Sequence, residues 1–198
     1  MFKRAFDLLA AVAGLLALGL PMLAVAAWIK VDSPGPVLFR QERVGRHGKR
    51  FRIHKFRTMR IDAESLGPQL TVGTDARITR AGAFLRAHRL DELPQFLDVL
   101  AGDMSLVGPR PDVPRYVDQW PAALRDRVLA VRPGITDPAS LEFRDEATLL
   151  ARAADPEREY LEVILPRKLA RSADYADHAS LWTDLGVIGR TLGVLISR

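Results

Sequence analysis

Residues 8–29 read LLAAVAGLLALGLPMLAVAAWI, 22 consecutive residues without a charge. No other feature limits the fold as strongly. About 20 apolar residues of helix cover the hydrocarbon core of a bilayer, so the run reads as a helix in contact with lipid. Pro21 lies about two-thirds along it. Proline removes a backbone donor and crowds the preceding turn, which bends a helix. Both flanks are basic: Lys3 and Arg4 precede the run, and Lys30, Arg40, Arg43 and Arg46 follow it. Positive flanks stay on the cytoplasmic side, and a single straight crossing puts one of them on the wrong side. A helix that enters, bends at Pro21 and leaves by the same face satisfies both observations. The expectation is therefore a re-entrant membrane helix. A straight span is one alternative. A signal peptide, with Ala24-Val25-Ala26 as its cleavage site, is the other.

The 198 residues suffice for one domain with a real core plus one appendage, divided here as 1–33 and 34–198. No cysteine is present, which excludes disulfides and thiolate metal sites. The four histidines, His47, His54, His88 and His178, match no HExxH pattern, and no dinucleotide or P-loop glycine motif occurs. The net charge of +5 conceals an asymmetry. Residues 1–60 hold 12 Lys/Arg against 3 Asp/Glu, and the remaining 138 hold 17 against 21. A basic block beside an apolar segment points to anionic lipid or a phosphorylated substrate. A nucleic-acid binder would share the high pI but not the apolar run, so no nucleic-acid partner is expected.

Ser33-Pro34-Gly35-Pro36 breaks whatever precedes it. Residues 37–41 and 51–56 have strand character on either side of a polar turn at 45–49, which predicts a β-hairpin. Residues 61–78 are polar and turn-rich. Residues 81–100 carry helical periodicity with Pro94 inside, so Pro94 either starts a new helix or kinks a long one. Residues 102–115 read as a Gly/Pro-rich loop and 132–136 as a turn. Helices are expected over 145–153 and 157–176. The apolar tail 181–196, with Trp182 and flanking Arg190 and Arg198, suits either a helix at a membrane surface or a core helix. The fold class is α+β, mostly helical with a small hairpin.

Asp91 and Glu92 are adjacent inside an apolar stretch and next to the break at Pro94. Paired acids serve as a metal site, as a nucleophile with a helper, or as a solvated face. A carboxylate nucleophile divides a phosphoryl transfer into two steps, and a second carboxylate can hold Mg2+ against diphosphate oxygens. That chemistry also needs cations to clamp phosphate. Lys55, Arg57, Arg86, Arg89, Arg110, Arg132 and Arg144 are available.

Four blocks carry a resemblance to a known family. The first is Lys55-Phe56-Arg57-Thr58-Met59. The second is Asp75-Ala76-Arg77-Ile78-Thr79 with Gly82. The third is Leu90-Asp91-Glu92-Leu93-Pro94-Gln95, running into Met104-Ser105-Leu106-Val107-Gly108-Pro109-Arg110-Pro111. The fourth is Arg132-Pro133-Gly134-Ile135-Thr136. Over nearly its whole length the chain resembles the bacterial sugar transferases, the small monotopic polyprenyl-phosphate phosphoglycosyl transferases. The resemblance implies a cytosolic-face catalytic domain with interfacial helices on the bacterial inner membrane, anchored by the re-entrant helix. It implies that Asp91 attacks the β-phosphate of a UDP-sugar, releases UMP and holds the phosphosugar covalently. Polyprenyl phosphate, as undecaprenyl phosphate, then takes the phosphosugar in the initiating membrane step of glycan synthesis. The resemblance further implies that Glu92 would bind Mg2+ or help deprotonate the acceptor, that Arg110 and Arg144, then Lys55, Arg57 and Arg86, would bind the donor, and that Asp75 and Asp103 would fix loops. Two departures from the family pattern stand out: Asp98, where asparagine is frequent, and Asp137-Pro138-Ala139-Ser140, where Gly-Leu-Ala-Gln is frequent. The sugar and the pathway are not readable from the sequence.

Overall fold

The computed structural model describes residues 2–63, 65–66 and 75–197. Part of the turn-rich 61–78 stretch, and Arg198, lie outside the described residues. The chain is 60% helical with two small sheets. Helix α1 spans Phe2–Asp32 and runs through Pro21 without interruption. It is long and apolar enough to cross a membrane, and almost none of its apolar surface is buried within the protein. Its ends are different. Asp7 is buried and accepts bonds from Ser105 Oγ at 2.8 Å and the Leu106 N–H at 3.2 Å. Arg4 donates to Val99 O at 2.8 Å. Lys3 donates to Val107 O at 3.2 Å and pairs with buried Asp184. At the other end, buried Ile29 packs with Phe56, Ala81 and Leu85.

The hairpin forms as expected but is longer. Strand β1, Leu38–Val44, pairs antiparallel with β2, Arg50–Phe56, from Leu38↔Phe56 to Val44↔Arg50. Positive φ at His47 and Gly48 closes the turn. The expected helix over 81–100 is instead three pieces. Helix α2, Arg80–Ala87, is capped by the Thr79 hydroxyl, which accepts from the Gly82 N–H at 3.0 Å. A left-handed residue, Arg89 (φ 58), follows. Leu90–Gln95 is then a 3-10 turn containing Pro94, and α3, Phe96–Ala101, completes the stretch.

The Gly/Pro-rich loop hides a strand. Strand β3, Ser105–Val107, pairs in parallel with β4, Gly134–Thr136. The Gly108 N–H donates to Thr136 O at 3.1 Å and the Gly134 N–H to Pro109 O at 3.0 Å. Between these strands lie α4, Pro114–Val117, and α5, Ala122–Val128, neither expected from the sequence. Helices α6, Pro138–Glu142, α7, Glu146–Leu150, and α8, Pro156–Glu159, follow. A π turn at Tyr160–Ile164 leads into α9, Leu165–Asp177. Helix α10, Leu181–Ile196, begins in a Ser180/Thr183 capping box. The largest core joins Val113, Tyr116, Trp120, Val128, Leu150, Ile164 and Leu169.

Gly108 and Gly134 approach backbone to backbone. A Cβ at Gly134 would lie 2.0 Å from the Gly108 nitrogen, so neither strand end accepts a side chain. Gly134→Ala is expected to cost about 3 kcal/mol and to displace the turn that carries Arg110. A lower midpoint in thermal or denaturant unfolding of detergent-solubilised protein, with reduced activity, is the expected result.

Candidate active site

Three chain segments meet at one carboxylate oxygen. Glu92 Oε1 accepts from Lys55 Nζ at 2.9 Å and from Arg110 Nη2 at 2.5 Å. Lys55 comes from β2, Glu92 from the 3-10 turn, and Arg110 from the turn zipped to β4. Glu92 is 8% exposed. Burial alone would raise its pKa, but Arg110 and Lys55 more than reverse this and hold the carboxyl well below the usual carboxylate range. Arg110 is in turn held firmly protonated, chiefly by the Glu92 charge. Burial pulls the Lys55 pKa down, against the opposing pull of Glu92.

Asp91 is in the opposite state. Its half-buried carboxylate makes no hydrogen bond or ion pair among the described residues. Burial, reinforced by the neighbouring charge of Glu92, raises its pKa, while Lys55, Arg110 and Arg86 partly counteract. The two adjacent acids thus differ in kind. One is clamped and ionised, the other is uncommitted and more basic than an ordinary aspartate.

Arg86 donates from Nε to Thr58 Oγ1 at 3.0 Å, and its charge reaches Asp91. Arg144 is more distant from the dyad. It pairs with Asp145 at 3.4 Å and lines a cleft of about 350 Å3 together with Arg110. Arg57, expected in the donor-binding set, is placed by the structure away from Glu92 and on the chain leaving α1. It is 4% exposed, and its guanidinium donates to Pro36 O at 2.6 Å, Ser33 Oγ at 2.7 Å and Ser33 O at 2.9 Å. It clasps the chain where it leaves α1, with four of its five N–H groups bonded to Pro36 O, Ser33 Oγ, Ser33 O and Met59 O. Asp75 accepts from the Arg77 N–H and guanidinium, and Asp103 pairs with Lys49. Both act locally.

Sequence reasoning missed the far wall of the cleft, formed by Gln41, Arg43, Tyr160 and Lys168. The signal was the two-residue period of β1, which puts Gln41 and Arg43 on one face. It went unread because the strand was expected to end at residue 41. Arg43 donates to Gln41 Oε1 at 2.6 Å and Pro111 O at 3.1 Å, and Lys168 to Glu146 at 2.7 Å. Arg89, two residues before Asp91, also lines the cleft. A left-handed backbone costs an arginine roughly 1–2 kcal/mol.

Asp98, the departure noted above, is buried and grips β2 from outside the hairpin. Its Oδ2 accepts the His54 N–H at 2.9 Å and its Oδ1 lies 2.6 Å from His54 Nδ1. Residue 54 precedes Lys55, so this grip sets the position of Lys55 relative to the 3-10 turn. A metal would find oxygen ligands at Asp91 and at Glu92 Oε2, which accepts no hydrogen bond among the described residues. No cluster of three or more candidate ligands occurs among the described residues. Mg2+ suits such a set, since it uses one or two carboxylates and completes its shell with water and substrate phosphate oxygens.

Fold and site together describe a protein with a long, largely unburied apolar helix and a carboxylate pair ringed by cations. The family model for bacterial sugar transferases matches residues 1–198, and the chain belongs to that family. It is 39% identical over 197 residues to the UDP-N-acetylgalactosamine-undecaprenyl-phosphate N-acetylgalactosaminephosphotransferase of Aeromonas hydrophila, covering 98% of this chain and 44% of that one. It is 40% identical over 200 residues to the UDP-glucose:undecaprenyl-phosphate glucose-1-phosphate transferase of Caulobacter vibrioides, covering 98% and 70%. The protein of that same name from Escherichia coli is 33% identical over 195 residues, covering 97% and 39%. The chain thus spans less than half the length of the first and third of these relatives.

Asp98→Ala is expected to cost about 1–3 kcal/mol, because it strands a buried donor. Asp98→Asn should cost less, since the amide oxygen still accepts the His54 N–H. Denaturant unfolding of both variants checks the order.

Proposed function

We propose that the chain transfers a phosphosugar from a UDP-sugar to undecaprenyl phosphate, releasing UMP. The observation that carries this reading is the unequal state of the adjacent acids. An uncommitted carboxylate with a raised pKa suits a nucleophile. A clamped carboxylate beside two cations suits the binding of phosphate oxygens. In the first step an Asp91 oxygen attacks the β-phosphorus, the bond to the bridging oxygen breaks, and UMP leaves with that oxygen. The phosphosugar stays on Asp91 as an acyl phosphate. In the second step an oxygen of the lipid phosphate attacks the same phosphorus and the Asp91 carboxylate is regenerated. Arg110, Lys55 and Arg86 stabilise charge on the transferring group, and Arg144 serves the donor from the cleft wall. Glu92 would be the residue to hold Mg2+, which would supply neutralisation of the diphosphate charge. Glu92 is a poor general base because its neighbours hold its pKa low, which favours the metal-binding role over proton abstraction. The relatives' names supply the acceptor and the UDP-linked sugars.

The membrane arrangement belongs to the same proposal, with 1–33 as the membrane segment and 34–198 as the catalytic domain on the cytoplasmic face of the inner membrane. Lys3, Arg4 and Asp7 bond to catalytic-domain elements, and Ile29 packs on α2 and β2 at the other end of the helix. A straight crossing would separate these ends by about 30 Å of hydrocarbon. Both ends on one face, with a bend at Pro21, reconciles the contacts with the apolar surface. Trp182 (82% exposed), Leu185 and Leu192 on α10 supply further apolar surface for interfacial contact.

Two experiments test the reading. Incubation with Mg2+ and a panel of UDP-sugars without lipid should give an intact mass raised by one phosphosugar. Asp91→Asn should abolish it and reduce turnover by roughly 1,000-fold or more. Adduct formation needs ionised Asp91, so its rate should fall as pH drops through a pKa above the ordinary aspartate range. Lys55→Met removes a charge that favours ionisation and should move that acid limb to higher pH. An unmoved limb counts against the assignment. The absence of native cysteine makes topology simple to read. Phe2→Cys and Arg52→Cys should react with an impermeant maleimide from the same side of inner-membrane vesicles, and labelling from opposite sides would replace the re-entrant helix with a span.

A further inference from the structure

Helix α2 ends in a left-handed residue, a position where glycine or asparagine normally sits because a Cβ is unfavourable there. This chain has Arg89 instead, at φ 58 and ψ 21. The side chain lines the cleft beside Arg110. The other cleft cations are engaged: Arg43 with Gln41 and Pro111 O, Arg110 with Glu92, Arg144 with Asp145, Lys168 with Glu146. The Arg89 guanidinium makes no hydrogen bond or ion pair among the described residues. It therefore combines an unfavourable backbone with a half-buried charge that returns nothing to the fold.

We propose that Arg89 is a substrate-binding residue whose guanidinium takes phosphate oxygens of the diphosphate donor inside the cleft. A planar fork of donors binds two phosphate oxygens at once, and Arg89 can do so without first breaking an internal pair. Arg110 and Lys55 are already paired with Glu92, so Arg89 adds to them a charge that meets the incoming donor with no internal pair to break. Left-handed backbone at residue 89 also starts the 3-10 turn two residues before Asp91, which couples the position of this guanidinium to that of the acid pair. The inference rests on the reading of the cleft as a nucleotide-sugar site.

The test compares wild type, Arg89→Asn and Arg89→Lys in nanodiscs by calorimetric titration with UDP and with inorganic pyrophosphate, and by thermal unfolding. Asparagine tolerates the left-handed backbone, so Arg89→Asn should have a Tm no lower than wild type, yet bind both probes about 10–100-fold more weakly. Arg89→Lys, which keeps the charge but not the fork, should fall between. A drop in Tm accompanying the loss of affinity makes Arg89 structural and overturns the proposal, as does unchanged pyrophosphate affinity in Arg89→Asn. Wild type that binds pyrophosphate but not UDP ends the nucleotide-sugar reading while still scoring Arg89 through the pyrophosphate arm. Wild type that binds neither ends both. Turnover separates the phosphate sources: in Arg89→Asn the KM for the UDP-sugar should rise while that for undecaprenyl phosphate stays constant, and the reverse assigns Arg89 to the acceptor and overturns the donor assignment.

Discussion

Glu92 Oε1 is the point where the molecule is tied together. Two cations from distant parts of the chain converge on it, one from the hairpin and one from the turn after β3. Buried ion pairs add little net stability, because desolvation offsets the attraction. Their effect here is on placement. Loss of Glu92 strips both cations of their shared partner, and loss of either cation leaves Glu92 with one, so the hairpin, the 3-10 turn and the Arg110 turn are held in one arrangement. The cluster carries two positive charges against Glu92 and Asp91. In the proposed reaction an arriving diphosphate would bring excess negative charge, which the further cations around the cleft would offset.

A second tie runs from the apolar helix α1 into the same cluster. Asp7 bonds to Ser105 and Leu106, and Lys3 reaches Val107, so the start of α1 is fixed to β3. Three residues further, β3 delivers Arg110. At the other end of the helix, Arg57 clasps Ser33 and Pro36 two residues after Lys55. The long apolar helix is therefore bonded at both ends to the segments that hold Glu92. The proposed reaction between a water-soluble donor and a lipid phosphate would require such fixed depth, since an error of about 1 Å in positioning is costly to rate.

What could be read directly from the residues follows their range of interaction. The hairpin, the apolar helix and the helical tail are set by local patterns and were legible. The acid pair and Arg110 were legible as a combination of motifs. The β3/β4 pair was not, because each strand has three residues and the partners lie 29 residues apart, too short for periodicity and too distant for a turn signal. Its trace was the glycine in each motif, Gly108 and Gly134, whose shared reason is mutual backbone approach. Arg57 was ambiguous because a cation beside a motif looks the same whether it meets phosphate or carbonyl oxygens. Arg43 and Lys168 enter the cleft only through tertiary folding, and the left-handed backbone of Arg89 has no sequence signature at all.

The contrast between two neighbouring carboxylates originates in the geometry of the turn that carries them. In a 3-10 turn successive side chains project about 120° apart, as three residues per turn requires. An α-helix separates them by about 100°. The wider angle lets Glu92 point to Lys55 and Arg110 while Asp91 keeps a different environment. Pro94 contributes by lacking an N–H, which disfavours a continuous α-helix through this stretch. Left-handed Arg89 ends α2 before the pair, so neither acid is absorbed into an ordinary helical face. Identical chemistry thereby acquires two electrostatic states from backbone geometry alone. Restoring a regular helix across residues 88–96 would retain every side chain and still remove the distinction on which the proposed nucleophile and its charged neighbour would depend.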